Sequence, residues 1–292
     1  MAVDHRVVHR DLLDSFHTLV LNTLKTAIKS RDHPALSKLS ELTSSDDIAK
    51  LVSSHGWWTP TLLSLFSDKP VSTISLSSSI GQLGNPRPYL QTFFQQGSFL
   101  HLTSLSLAGM KLSHEDISLL RLLPALGSLD LSSTCIATSH LLHLITHSPT
   151  LHDLNISSND SINDDARIPL SAFSKLSSLH LRGTSITTSC LRLLVYALPR
   201  SCRFVTVPQE TLDHLNCRSR RYCSSIPMGY VQDPRQVPNL TVVALKKNLE
   251  LHRKVNSDVA LGGNKVDMVE RLMSILCSRV ADGLIIKRVG KL

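Results

Sequence analysis

The chain has 292 residues, 42% of them hydrophobic, and a mean hydropathy near zero, which suits a protein with one large core or two smaller ones. No apolar run approaches the ~18 residues that a membrane-crossing helix needs, and the six cysteines (Cys135, Cys190, Cys202, Cys217, Cys223, Cys277) are scattered in a way that suits a reducing compartment rather than a disulfide framework. The net charge of +8 is lopsided: residues 1–199 hold 15 Lys/Arg and 15 Asp/Glu, whereas residues 200–292 hold 16 against 8. That asymmetry points to a polyanion partner acting on the last third, or to a solvated basic surface there.

The N-terminus, MAVDHRVVHRDLLDSF, mixes acids with bases and lacks the apolar centre of a signal peptide, so a nuclear or cytoplasmic protein with no membrane contact is expected. Over residues 11–29 the spacing of Leu12, Phe16, Leu19, Thr23 and Ile28 predicts one apolar stripe of a helix. Helical stretches continue over 34–66. The two tryptophans, Trp57 and Trp58, together with Phe93, Phe94 and Phe99, read as core of this region or as an anchor for a partner at its edge.

A repeat fills the middle of the chain. LTSLSLAGMKL (102–112) recurs as LGSLDLSSTCI (126–136), LHDLNI (151–156) and LSSLHLRGTSI (176–186), with weaker copies VSTISL (71–76) and CRFVTVPQETL (202–212) on either side; successive starts lie 31, 24, 25, 25 and 26 residues apart. Alternating apolar residues predict a short strand with one face buried, and the stretches that follow carry helical spacing. Ser113, Thr138 or Ser139, and Thr187 or Thr188 stand where N-caps are expected, and Pro124, Pro149 and Pro199 stop each helix. A unit this small cannot bury its own face, so copies must stack.

On these motifs, residues 71–212 resemble the leucine-rich repeat family, and most closely the cysteine-containing repeats of ubiquitin-ligase receptors, although no F-box is recognisable. The position often held by Asn in that family is occupied by Met110, Thr134, Asn159, Thr184 and Glu210, of which Thr and Asn can hydrogen-bond the turn. The resemblance implies an α/β solenoid with parallel strands on a concave face and helices on a convex face, used to recognise protein. The expected concave residues include Asp130, Asp153, Asn155, His180, Arg182 and Phe204, with Asp130, Asn155 and His180 in one row and Asp153 diagonal to His180. Ser178, His180 and Asp153 together invite a nucleophilic reading, but a flat ladder supplies neither an oxyanion hole nor a pocket, so no catalytic residue, metal or cofactor is assigned.

Three prolines in CSSIPMGYVQDPRQVPNL (223–240) predict a linker or extended strap. Just before it, His214, Cys217 and Cys223 with Cys202 match no common zinc spacing. The segment NLTVVALKKNLELHRKVNSDVALGGNKVDMVERLMSIL (239–276) then reads helix, loop, helix. Through its ALKKNL helix, its Gly263 and Lys265 turn and its VERL end, it resembles the SAP family of DNA-binding modules, despite a longer loop and acids at Asp267 and Glu270. The resemblance implies that the turn and second helix N-terminus approach phosphates, with Gly263 allowing close approach and Lys246, Lys247, Arg253, Lys254 and Lys265 supplying charge.

The expected organisation is a helical N-terminal cap (1–70), leucine-rich repeats (71–212), a linker (213–238) and a small basic helical module (239–292). The expected function is a non-enzymatic scaffold that binds a protein partner on the repeats and double-stranded DNA or chromatin at the C-terminus. The alternative is a substrate adaptor of a ubiquitin ligase whose C-terminal helices dock protein.

Overall fold

The structure, a computed structural model, describes residues 5–28, 34–39, 41–77, 79, 87–93, 95 and 97–289; Phe94 therefore lies outside the described residues, as does the side chain of Leu12. Four helices come first: α1 (His5–Ala27), α2 (Pro34–Leu39), α3 (Ser45–His55) and α4 (Pro60–Ser64). α3 begins at Ser44, whose Oγ accepts from the Asp47 amide at 3.1 Å, and ends at Gly56 in the left-handed conformation (φ 65°) that a side chain would strain. The buried stripe of α1 is Phe16, Val20 and Leu24, whereas Leu19 is half exposed. The expected stripe is corrected accordingly: steps of four keep residues on one face, and Leu19 falls one step outside it.

Trp58 is fully buried, its ring edge-on to Phe66 at 5.2 Å, and its indole N–H donates to Ser53 Oγ at 2.9 Å. Trp57 is buried as well, so both tryptophans belong to the core rather than to an exposed anchor. α3 lies against β1 (Thr73–Ser75), where Asp46 Oδ1 accepts from both the amide and the hydroxyl of Ser72. The helices thus cover the first edge of the sheet, removing an unpaired strand that would otherwise invite association.

After α5 (Arg87–Phe93) the chain alternates between strand and helix or helical turn: β2 (Ser104–Ser106), α6 (His114–Leu119), β3 (Ser128–Asp130), β4 (Asp153–Asn155), α7 (Arg167–Ser171), β5 (Ser178–His180), α8 (Thr188–Ala197), β6 (Arg203–Thr206) and α9 (Gln209–Asn216). Among the described residues the six strands form a single parallel sheet in the order of the sequence, with each copy of the motif paired to the next. The fold is therefore mixed α/β. Its inward column, Ile74, Leu105, Leu129, Leu154, Leu179 and Phe204, is no more than 1% exposed; burying each such side chain contributes about 1.5–3 kcal/mol.

Two expectations within the units need correction. Phe204 does not stand on the exposed face: it pairs with Leu179 and is fully buried, while Val205 bulges out half exposed and the pairing resumes with Thr206 beside His180. A one-residue bulge reverses which side chains point inward. The stretch Thr138–His147 is a 3-10 helix whose start is not capped by Thr138 or Ser139; His140 Nδ1 accepts from the Ala137 amide at 2.7 Å, and the Thr138 hydroxyl donates to Asn163 Oδ1 at 3.0 Å in the next unit. Ser113 and Thr187 do cap α6 and α8.

Every clear repeat turns sharply two residues beyond its third inward apolar residue. Gly109 (φ 78°), Ser133 (57°), Ser158 (57°) and Gly183 (70°) occupy equivalent left-handed positions there. The glycines accept this freely, but the serines need support. It comes from the next residue: Thr134 donates to the carbonyl of Leu131, and Asn159 bridges two turns at once; Thr184, after Gly183, makes the same bond to Leu181.

Residues 217–240 pack as a strap, adding Ile226 and Val237 to a second hydrophobic cluster, and Asn248 Oδ1 accepts from the Val231 amide at 2.9 Å. Two helices follow, α10 (Val242–Arg253) and α11 (Lys265–Val289). α11 joins both clusters: Met268, Leu272 and Leu276 belong to the second, Ile285 to the main core. Its latter part packs on α8 and β6 and so covers the far edge of the sheet. No helix among the described residues is long and apolar enough to cross a membrane.

Candidate interaction surfaces

The outward face of the sheet carries two polar rows. One runs Ser106, Asp130, Asn155, His180, Thr206; the other runs Thr73, Ser104, Ser128, Asp153, Ser178, Arg203. Asp130, Asn155 and His180 thus share a row, as the repeat spacing predicted. The ladder partly satisfies itself: Asp130 Oδ2 accepts from Ser106 Oγ at 3.3 Å, Asp153 Oδ2 from Ser128 Oγ at 3.2 Å, and Asn155 Oδ1 from the Ser157 amide at 3.1 Å. Asp153 Oδ1 accepts no hydrogen bond; His180 Nε2 lies 3.8 Å away, too far for one but close enough to attract it when the imidazole is charged. Among the described residues no hydrogen bond joins Ser178 to His180, so the general-base contact a serine nucleophile needs is not made. Arg182 is exposed just beyond the row.

At the other end of the molecule, Lys246, Lys247, Arg253, Lys254 and Lys265 are all exposed, and among the described residues none pairs with a carboxylate. Lys247 Nζ sits 5.2 Å from the centre of the Tyr230 ring, held by a cation–π contact. The turn before α11 is closed from within. Asn264 Oδ1 accepts from the Asp267 amide at 3.0 Å while Asp267 Oδ2 accepts from the Asn264 amide at 3.0 Å, a reciprocal capping box. Arg271 donates to the carbonyls of Ala260 and Gly262. Gly263 (φ 116°) serves this box, because an added Cβ would meet Asp267 Oδ2 at 2.8 Å; the open glycine is Gly262, with nothing within 4 Å. The space that Gly263 was expected to offer a phosphate is therefore taken by a carboxylate.

A buried polar group missed by reading the sequence ties α11 to the sheet. Asp282 is fully buried and accepts from Arg192 through both oxygens (2.7 and 2.9 Å), from the Tyr222 hydroxyl at 2.8 Å, and faces His214 Nε2 at 3.1 Å. Burial alone would push its carboxyl up, but the bonds from Arg192, Tyr222 and His214 hold it below the usual range. The Tyr222 hydroxyl is pushed the other way, by burial and by its bond to the carboxylate. His214, entertained above as a metal ligand, is engaged here, and Cys202 is buried. Among the described residues no three or more His, Cys, Asp or Glu are arranged to hold a metal ion.

His252 is a second buried titratable group. It is 1% exposed, its Nδ1 accepts from the Cys223 amide at 3.2 Å, and burial together with Arg279 lowers it to about 4. A histidine depressed in the folded state binds fewer protons than the unfolded chain below its ordinary value. It therefore contributes stability above about pH 6.5 that is lost progressively down to about pH 4. Urea midpoints at pH 7 and pH 4.5 are expected to differ less in His252→Asn, which keeps an acceptor near Nδ1 but cannot titrate. An unchanged difference would place the pH sensitivity elsewhere.

Compared with models of known protein families and with curated proteins, the chain matches none.

Proposed function

We propose that this chain is a non-enzymatic protein-interaction scaffold of the leucine-rich repeat type, holding a partner on the outward face of its sheet, with basic C-terminal helices that contact the backbone of double-stranded DNA in the nucleus. The observation that carries the reading is the sheet face itself: two polar rows in register across consecutive parallel strands, with the carboxylate of Asp153 39% exposed on it. Such a face fits a partner segment bearing donors, such as a lysine or arginine laid over Asp130 and Asp153. The asparagine and threonine bonds at the turns support the leucine-rich repeat assignment. For DNA the support is the set of five exposed cations, without acidic partners among the described residues, on α10, just after it and at the start of α11. Because the α11 turn is closed by Asp267, these side chains rather than the free amides of the turn make the phosphate contacts.

The closed turn also favours a second reading, a ubiquitin-ligase substrate adaptor whose C-terminal helices dock protein. Fluorescence anisotropy of the full chain with a labelled duplex separates the two. Micromolar binding that weakens with salt, and a log–log salt slope reduced by about 2–3 in Lys246/Lys247/Lys265→Ala, are expected if those lysines meet phosphates. No binding at low salt, together with copurification of a cullin-type ligase, would replace DNA contact with the adaptor role.

A further inference from the structure

Between the strap and α11 lies a pocket of about 450 Å³, in the size range of small-ligand sites. Its lining combines three cations, Arg218, Arg279 and Lys287, with the apolar side chains of Val280, Leu284 and Ile286, and contains no carboxylate. None of the three cations makes an ion pair among the described residues, and Arg279 spends one N–H on the Ser224 carbonyl at 3.1 Å. Asp282, beside Gly283 on α11, is already neutralised by Arg192.

An independent observation comes from Gly283, which lines the same pocket. It stands in the interior of the 25-residue α11, where glycine is a poorer helix former than alanine. Nothing lies within 4 Å of where its Cβ would be. The glycine is thus required neither by a positive φ nor by a close neighbour; what its missing side chain does is leave the pocket open.

We propose that this pocket binds an aryl phosphate, with the guanidinium groups of Arg218 and Arg279 and the Lys287 ammonium meeting the dianion, and Val280, Leu284 and Ile286 taking the ring. Guanidinium forks suit phosphate oxygens, and two or three cations match the charge of a phosphate monoester. The same chemistry is carried by a free aromatic phosphate and by a phosphotyrosine side chain.

The test is calorimetric titration of the full chain with 1-naphthyl phosphate, 1-naphthol, inorganic phosphate and a phosphotyrosine hexapeptide. Naphthyl phosphate is expected to bind at least tenfold more tightly than either half alone. A peptide tenfold tighter still would identify the source as a protein side chain; equal or weaker binding would identify a free compound. Gly283→Leu, which fills the pocket with a better helix former, and Arg218→Ala with Lys287→Ala should each weaken binding at least tenfold. Should Gly283→Leu fail to fold, the substitutions at the two surface cations still decide. Equal binding of naphthol, or unaltered binding in the Arg218/Lys287 variant, would overturn the proposal.

Discussion

Replacing Asp282 by alanine is expected to cost about 3–5 kcal/mol, the usual penalty for removing one partner of a buried ion pair. The reason lies in what stays behind. Arg192, 22% exposed, would keep its charge with no counterion, and the buried Tyr222 hydroxyl and the 12% exposed His214 would lose their acceptor. Asp282→Asn keeps the shape and one acceptor oxygen but removes the charge, so its loss should be smaller. Urea unfolding followed by far-ultraviolet circular dichroism measures both. A loss under about 1 kcal/mol for the alanine variant would show that the network is dispensable.

The network also sets an acid limb. A carboxylate held below its ordinary value contributes stability that is fully present above its unfolded pKa, near 3.9, and is lost as pH falls through the folded value. Wild-type protein should therefore lose stability below about pH 4 through this group, and Asp282→Asn should lose less over the same interval. Because α11 belongs to both hydrophobic clusters, this loss would loosen the basic helices and the sheet edge together.

Why Asp282 escaped a reading of the sequence is plain from its partners, which come from α8, α9 and the strap, 60 to 90 residues away. Nothing local in SRVADGLIIK distinguishes a buried aspartate from a solvated one. The strands, by contrast, were legible because three apolar residues at alternate positions recur at nearly constant spacing, and that spacing alone placed Asp130, Asn155 and His180 in one row. Legibility failed where the period slipped by one residue. At β6 the bulge at Val205 turned Phe204 inward, and an alternating pattern cannot reveal a bulge when both neighbours are apolar. The α11 turn lies between these cases: its glycines and lysine drew attention to phosphate, while the Asn264 and Asp267 spacing that closes the box was equally present in the sequence.

The second large effect is expected at Asn159, 1% exposed between two turns. Its carbonyl oxygen accepts from the amides of Thr134 and Ile136, both at 3.1 Å, in the preceding unit. Its amide donates to the carbonyls of Leu131 and Ile156 at 2.8 and 3.0 Å, with Ser157 at 3.2 Å. Alanine would strand three buried backbone groups, the amides of Thr134 and Ile136 and the carbonyl of Ile156, at about 1–3 kcal/mol each, softened by relaxation, for a net loss of about 3–5 kcal/mol. It would also remove the Asn159 bonds beside Ser133, Cys135 and Ser158, which stand in left-handed backbone (φ 57°, 60° and 57°). Threonine, which serves at the equivalent positions 134 and 184, should recover only the contact within its own turn, because its hydroxyl is too short to reach the preceding unit. Aspartate should be no better than alanine: it keeps the acceptor for two amides but sets a negative oxygen against three carbonyls. Urea unfolding orders the variants, and amide exchange at Ile136 reports the bridge itself. If threonine matched asparagine in both, the bridge between units would carry no stability, and each turn would be held by its own unit alone.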